Sequence, residues 1–232
     1  MSILFLDIET IPQHPSFEAC PEEVQKLWKR KAENLKREPE ESVADVYKRA
    51  GIYAEFGQII CISTGFVHLV DGVETLRIKS YYGHDEAVLL KEFAAMLQKS
   101  FSSAESRLCA HNGKEFDFPF LGRRLVIHGI KLPTILDIAG KKPWEVHFLD
   151  TMELWKFGDF KSYTPLNLLT HVLGIPSPKD DIDGSQVWSV YWEEKDLDRI
   201  VRYCEKDVVA LTNVYRRMKG LTVIPSDQVV RA

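Results

Sequence analysis

Residues 4–10 read L-F-L-D-I-E-T, two acids set into a hydrophobic strand with one isoleucine between them. An extended chain alternates its side chains between faces, so Asp7 and Glu9 point the same way. Ile3, Leu4, Phe5 and Leu6 before them are apolar on both faces, as in a central strand covered on each side. Two carboxylates at the end of such a strand repel each other and resist desolvation unless a cation or a proton compensates them. Two readings follow. Either the strand reaches solvent at Thr10 and Pro12, where a loop begins, or the paired acids hold a cation.

The rest of the chain supplies the setting. Its 232 residues are 45% hydrophobic, enough for one domain over 1–232 with a sizeable core. No run approaches the roughly 18 apolar residues of a membrane span, and no signal-type segment opens the chain, so a soluble, cytoplasmic protein with no membrane partner is expected. Cys20, Cys61, Cys109 and Cys204 are scattered and form no C-x-x-C pair, which argues against a zinc site or a disulfide framework. A net charge of -4 excludes a general nucleic-acid coat, so any nucleic acid must bind at a local site.

Residues 18–49 are rich in charge and helix formers. Lys26, Lys29, Arg30, Lys31, Lys36 and Arg37 either meet a phosphate backbone or, with acids interleaved, form a solvated helix face. The β-branched run at 58–66 and the alternating run at 73–82, joined by Asp71-Gly72, complete a three-strand meander with the opening strand. Residues 12–57 then form a helical insertion in its first connection. Helices are expected over 85–97, 118–128, in the segment ended by Gly174, and over 193–219; strands are expected at 107–110 and leading into a helix within 146–154. This pattern reads as α/β, a mixed five-stranded sheet flanked by helices.

In the last helix Leu197, Val201, Cys204, Val208, Leu211 and Tyr215 draw one buried stripe. Tyr203 and Asp207 lie i and i+4 on its flank, either reaching a cleft or marking the core margin. At 111–121, H-N-G-K-E-F-D-F-P-F-L sets Asp117 between Phe116 and Phe118 just before a helix. That acid either stabilises the helix N-terminus or ligates a metal. Asp150, at a strand end, reads as a structural or supporting acid. D-D-I-D-G at 180–184 fails as a calcium loop, because Lys179 and Val190 fall at its first and last ligand positions. It reads as a solvated turn.

D-I-E-T, N-G-K-E-F-D and Y-C-E-K-D, in this order over residues 7–207, resemble the three motifs of the DEDDy branch of the DnaQ-like 3′-5′ exonucleases. The N-x-x-x-F-D form of the second motif is most similar to the proofreading domain of family B DNA polymerases. The resemblance implies a ribonuclease H-like fold and two divalent ions, Mg²⁺ or Mn²⁺, held by Asp7, Glu9, Asp117 and Asp207. It further implies that Tyr203 orients the attacking water; the sister DEDDh branch would carry histidine where Arg202 stands. Two such ions activate water and clamp the scissile phosphate, and oxygen ligands suit either metal. Tyrosine, with a reference pKa of about 10, positions water rather than acting as a base.

The expected function is a standalone exonuclease acting on the free 3′ end of single-stranded nucleic acid, DNA in preference to RNA. Asn112, Phe116 and Thr10 are its candidate substrate contacts. Asn112 alternatively forms an Asx-turn and Phe116 alternatively belongs to the core. A catalytically silent binding module is the alternative, though a binding surface gains nothing from four acids facing phosphate. The D-x-D-x-T start of haloacid-dehalogenase-like phosphatases is also approached, but Glu9 replaces its second Asp and no later lysine motif follows.

Overall fold

Strand β1 (Ser2–Pro12) is the axis of the sheet, and its alternating side chains pack against different helices on its two faces. The computed structural model describes residues 2–35, 38, 40–159, 163–176 and 182–232; Lys36, Arg37, Lys179, Asp180 and Asp181 lie outside them. Leu4, Leu6 and Ile8 share one apolar cluster with Leu89, Phe93 and Leu97 of α3 (Glu86–Ser100) and with Phe120 and Leu121 of α4 (Asp117–Ile127). The odd-numbered row faces the long α8 (Leu197–Met218) instead. Phe5 meets Tyr215 edge-on, with ring centroids 5.4 Å apart, and Ile11 clusters with Ile200.

β2 (Gly57–Val70) and β3 (Val73–Tyr82) complete the expected antiparallel meander. Asp71 (φ 49) and Gly72 (φ 82) both adopt positive φ in their two-residue turn, the backbone such hairpins demand. β4 (Ser106–Ala110) runs parallel to β1, and β5 (Leu149–Asp150) parallel to β4. A further strand, β6 (Val229–Arg231), joins the outer edge of β3, so the order is β5-β4-β1-β2-β3-β6 and the sheet has six strands, not five. Three residues carry no periodic pattern from which such a strand can be read.

The strand within 146–154 shrinks to two residues because Asp150 caps α5 (Thr151–Lys156), accepting the N–H of Met152 at 2.9 Å and of Glu153 at 3.3 Å. α6 (Leu166–Val172) ends as expected at Gly174, φ 62. The last helix begins later than its sequence suggests. α7 (Val187–Ser189) runs into a π-helical turn over 190–194, Lys195 turns the chain at φ 60, and Asp196 caps α8 by accepting the Arg199 N–H at 2.9 Å. Among the described residues no helix is long and apolar enough to cross a membrane.

The helical insertion carries α1 (Glu22–Ala32) and α2 (Val43–Tyr47) around its own apolar cluster. Trp28 lies at its centre, edge-on to Tyr47 at 5.4 Å and Phe56 at 5.0 Å. Lys26 pairs with Glu22 at 2.8 Å on the exposed side, in keeping with a solvated face. The insertion's return is fastened by a buried ionic cluster. Arg124 of α4 donates to Glu86 of α3 (Nε–Oε1 2.9 Å) and to the Ala54 carbonyl at 2.8 Å, while Glu86 also accepts the Ile59 N–H at 2.7 Å.

Candidate active site

β4 pairs with β1 only as far as Phe5 and ends one residue later at Ala110, so the last residues of β1 run on past it and border a cleft. Crevices outside the carboxyl ends of strands are where open α/β sheets bind ligands. Asp7 and Glu9 sit here, and with Cys204 of α8 they bring three ligand atoms within 4.8 Å of one another. The Cys204 thiol lies 3.3 Å from Asp7 Oδ2 and 3.4 Å from the Asp7 carbonyl, donating to that residue. Opposite Glu9 and Thr10 the register of β2 slips by one residue at Ile60, a bulge that bends the ladder beside the acids.

Asp117, the first residue of α4, approaches from the β4 side. Its Oδ1 accepts the Ile8 N–H at 3.2 Å, which ties the start of α4 to the strand between the two acids. Tyr203 and Asp207 come from the half-buried flank of α8, hydrogen-bonded to each other. Asp117 and Asp207 stand outside the 4.8 Å group, but both charges act on Asp7 and Glu9. The five residues read from the sequence thus converge. Cys204, which the sequence places only in the buried stripe, joins them; its signal is that it follows Tyr203 directly and faces the acid row of β1.

Burial, then the charges of Asp117 and Asp207, raise the Asp7 carboxyl well above the ordinary range. Burial, then Asp7 and Asp207, do the same to Glu9. Asp117 is pushed up to about 7, chiefly by burial, against the pull of hydrogen bonds from its own N–H and that of Ile8. The Tyr203 hydroxyl is raised by burial and then by Asp207, Glu9 and Asp7, so it stays protonated and donates. No cationic side chain is among the main influences on Asp7 or Glu9. The clustered carboxylate oxygens of Asp7 and Glu9 fit a hard divalent ion such as Mg²⁺ or Mn²⁺. Burial also raises the Cys204 thiol, which keeps it a weak hydrogen-bond donor rather than a thiolate ligand.

Asn112 adopts φ 60 and opens the turn before α4, its carbonyl accepting the N–H groups of Glu115 at 3.2 Å and Phe116 at 3.0 Å. Its side-chain Oδ1 is shielded and has no hydrogen-bond partner among the described residues, so the Asx-turn is not formed. Asp150 is structural: it accepts the N–H of Asn112 at 3.0 Å and of Lys114 at 3.1 Å, holding this loop to α5. Phe116 is half-buried, its ring 5.5 Å from that of Phe120.

His111 locks the same loop from behind. Its Nε2–H donates to the Thr164 carbonyl at 2.9 Å, so in the neutral ring Nδ1 accepts from the Thr151 hydroxyl at 2.9 Å. Burial depresses its pKa below 6.5. A depressed histidine contributes stability that is fully present above the unfolded value and is lost as pH falls through the folded one. The urea midpoint of the wild type should therefore fall below pH 6.5 relative to His111→Gln, which keeps a donor and an acceptor but cannot titrate. A constant difference between the two from pH 5 to 8 would contradict this.

A cleft of about 440 Å³ opens beside Glu9. Thr10 and Phe116 line it, as do Lys48 from the insertion and Gly184, Ser185 and Trp188 ahead of α8. The turn at 184–185 is therefore part of a wall rather than merely solvated. Lys48 and Trp188 were not readable as site residues, because no local pattern links positions 140 residues apart.

The family described as predicted 3′-5′ exonuclease related to the exonuclease domain of PolB matches residues 52–224, a span that holds Asp117, Tyr203 and Asp207 and follows Asp7 and Glu9. No curated protein matches the chain. Among solved structures, the family B DNA polymerase from the hyperthermophilic archaeon Pyrobaculum calidifontis aligns with 93% of this chain at a TM-score of 0.57 and 15% identity. The chain spans 24% of that polymerase, and the likeness shows a shared ribonuclease H-like fold.

Proposed function

This chain belongs to the family of predicted 3′-5′ exonucleases related to the exonuclease domain of PolB, and from that premise we propose that it removes nucleotides from the 3′ end of single-stranded nucleic acid, DNA in preference to RNA. Asp7, Glu9, Asp117 and Asp207 hold two divalent ions in this reading. The observation that carries it is the convergence of these acids, with burial and the charges of Asp117 and Asp207 together raising the proton affinity of Asp7 and Glu9. Two bound divalent cations supply a water nucleophile at neutral pH and a clamp on the scissile phosphate.

The chain's own groups do the rest. Tyr203 keeps its proton and donates it to Asp207, which fixes the hydroxyl so that its oxygen accepts from the attacking water and orients it. Cys204 fixes the Asp7 carboxylate through its thiol. Thr10 and Phe116, on the cleft beside Glu9, contact the terminal nucleotide, and Asn112, on the loop before α4 and outside the lining of that cleft, is the third substrate contact in this reading.

The test is an assay on 5′-labelled DNA, RNA and mismatched duplex, with Mg²⁺, Mn²⁺ or chelator. Shortening from the 3′ end, abolished by chelator and fastest on single-stranded DNA, is expected. Mn²⁺ at 100 times the Kd of each of two sites should also raise the melting temperature by about 10–20 °C. Binding without turnover of any substrate would replace this reading with that of a silent binding module.

A further inference from the structure

We propose that Lys48 and Trp188 form a second subsite, which grips the strand upstream of its 3′ end: the indole stacks on a base and the ammonium takes the flanking phosphate. The inference rests on the exonuclease reading only for which end of the strand lies at the acids. One cleft runs from Glu9 and Thr10 to Lys48 and Trp188, and its 440 Å³ lies within the roughly 300–1,000 Å³ of small-ligand sites. A strand whose last nucleotide sits at Glu9 must leave along it.

Both walls of the cleft are fixed to the strand that carries the acids. On the insertion side a Cβ at Gly51 would lie 3.0 Å from the Ile11 backbone, so glycine there lets the wall press directly on β1. On the other side the Trp192 indole N–H donates to the Pro12 carbonyl at 3.3 Å. The distance from the acids to Lys48 and Trp188 is thereby set by the fold.

Lys48 is exposed and its ammonium lies 4.7 Å from the centre of the Trp188 ring. An exposed cation–π contact is weak, so a nucleobase can take over the indole face. The displaced ammonium then remains beside the base, where the next phosphate lies. A polyanion entering a cleft floored by acids also needs a positive group. Arg49, on the same wall, is engaged by Glu41 at 2.7 Å and by the Leu35 carbonyl at 2.8 Å. Among the described lining residues this leaves Lys48 to meet phosphate.

The test measures binding of 5′-fluorescein oligothymidylate to the full chain by anisotropy, in chelator so that nothing is cut. Trp188→Ala should weaken binding roughly tenfold, and Trp188→Phe, which keeps a stacking face, should restore most of the loss. Lys48→Ala should lower the slope of log Kd against log salt by about 0.7, one phosphate contact on a single strand, and Lys48→Arg should restore it. Melting temperatures of the two Lys48 variants and of Trp188→Phe should match the wild type, and Trp188→Ala should still unfold in one cooperative transition above the assay temperature. Dissociation constants within twofold of wild type for both alanine variants, with an unchanged salt slope, would overturn the subsite while digestion by the wild type stood. Absence of digestion by the wild type, with these binding losses present, would instead overturn the exonuclease reading alone.

Discussion

Asp7→Asn, and separately Asp207→Asn, should each lower metal-dependent digestion by well over the roughly 100-fold that changes in outer-sphere partners of metal ligands reach. The amide keeps the size of the carboxylate and, at position 7, an oxygen to accept the Cys204 thiol. It removes the charge that a divalent ion requires. The substitution at Asp7 should not weaken the fold. A carboxyl whose pKa is raised by folding favours the native state at low pH and loses that contribution as pH rises through the folded value. Asp7 is such a group, through burial and the charges of Asp117 and Asp207. The metal-free Asp7→Asn chain should therefore melt no lower than the wild type at pH 8. Loss of digestion together with an unchanged or higher melting temperature separates a chemical role from a structural one. Undiminished digestion by either variant removes the assignment.

Arg124→Ala should cost roughly 3–5 kcal/mol of stability, because it strands a buried charge. Arg124 and Glu86 are 4% and 5% exposed, so water cannot replace the lost guanidinium. Glu86 would keep the Ile59 N–H and the His128 ring, at 2.7 Å each, but no permanent cation. The Ala54 carbonyl would lose its donor as well. For a chain of this size the loss corresponds to a fall of about 6–20 °C in melting temperature. The double variant Arg124→Leu with Glu86→Leu should recover part of it, since the uncompensated charge is then gone. A single variant that melts within 2 °C of wild type, a threshold of roughly 1 kcal/mol or less, would show that the cluster does not bear on stability.

The sequence made legible those features whose cause is local. β1 follows from its continuous apolar run, β2 from its β-branched run and β3 from side-chain alternation after the Asp71-Gly72 turn, while α8 follows from its 3–4 spacing, because burying one face of a helix imposes a period on it. The same alternation aims Asp7 and Glu9 together, and the i, i+4 relation sets Tyr203 over Asp207. Asp117 was legible as an acid among phenylalanines, but not its bond to the Ile8 N–H, which joins residues 109 positions apart. Val229–Arg231 carries no strand signal, because a parallel partner at the sheet edge asks little of three side chains. The late start of α8 turns on Lys195 at φ 60, a conformation its side chain does not advertise. In the sequence Cys204 reads as an apolar stripe residue, since a cysteine fits a core as well as it does a carboxylate.

The wall contributed by the insertion is located at its root and not by its helices. A Cβ at Gly57 would fall 2.6 Å from the Gly51 carbonyl oxygen, and one at Gly51 would press on Ile11, so these two positions hold the returning chain flush against β1. The outer part, α1 and α2 around Trp28, has an apolar cluster of its own. Its length and sequence can therefore drift, or be exchanged for another module, while the groove keeps its width. Variation among related chains should gather around residues 22–47 and stop short at the two glycines.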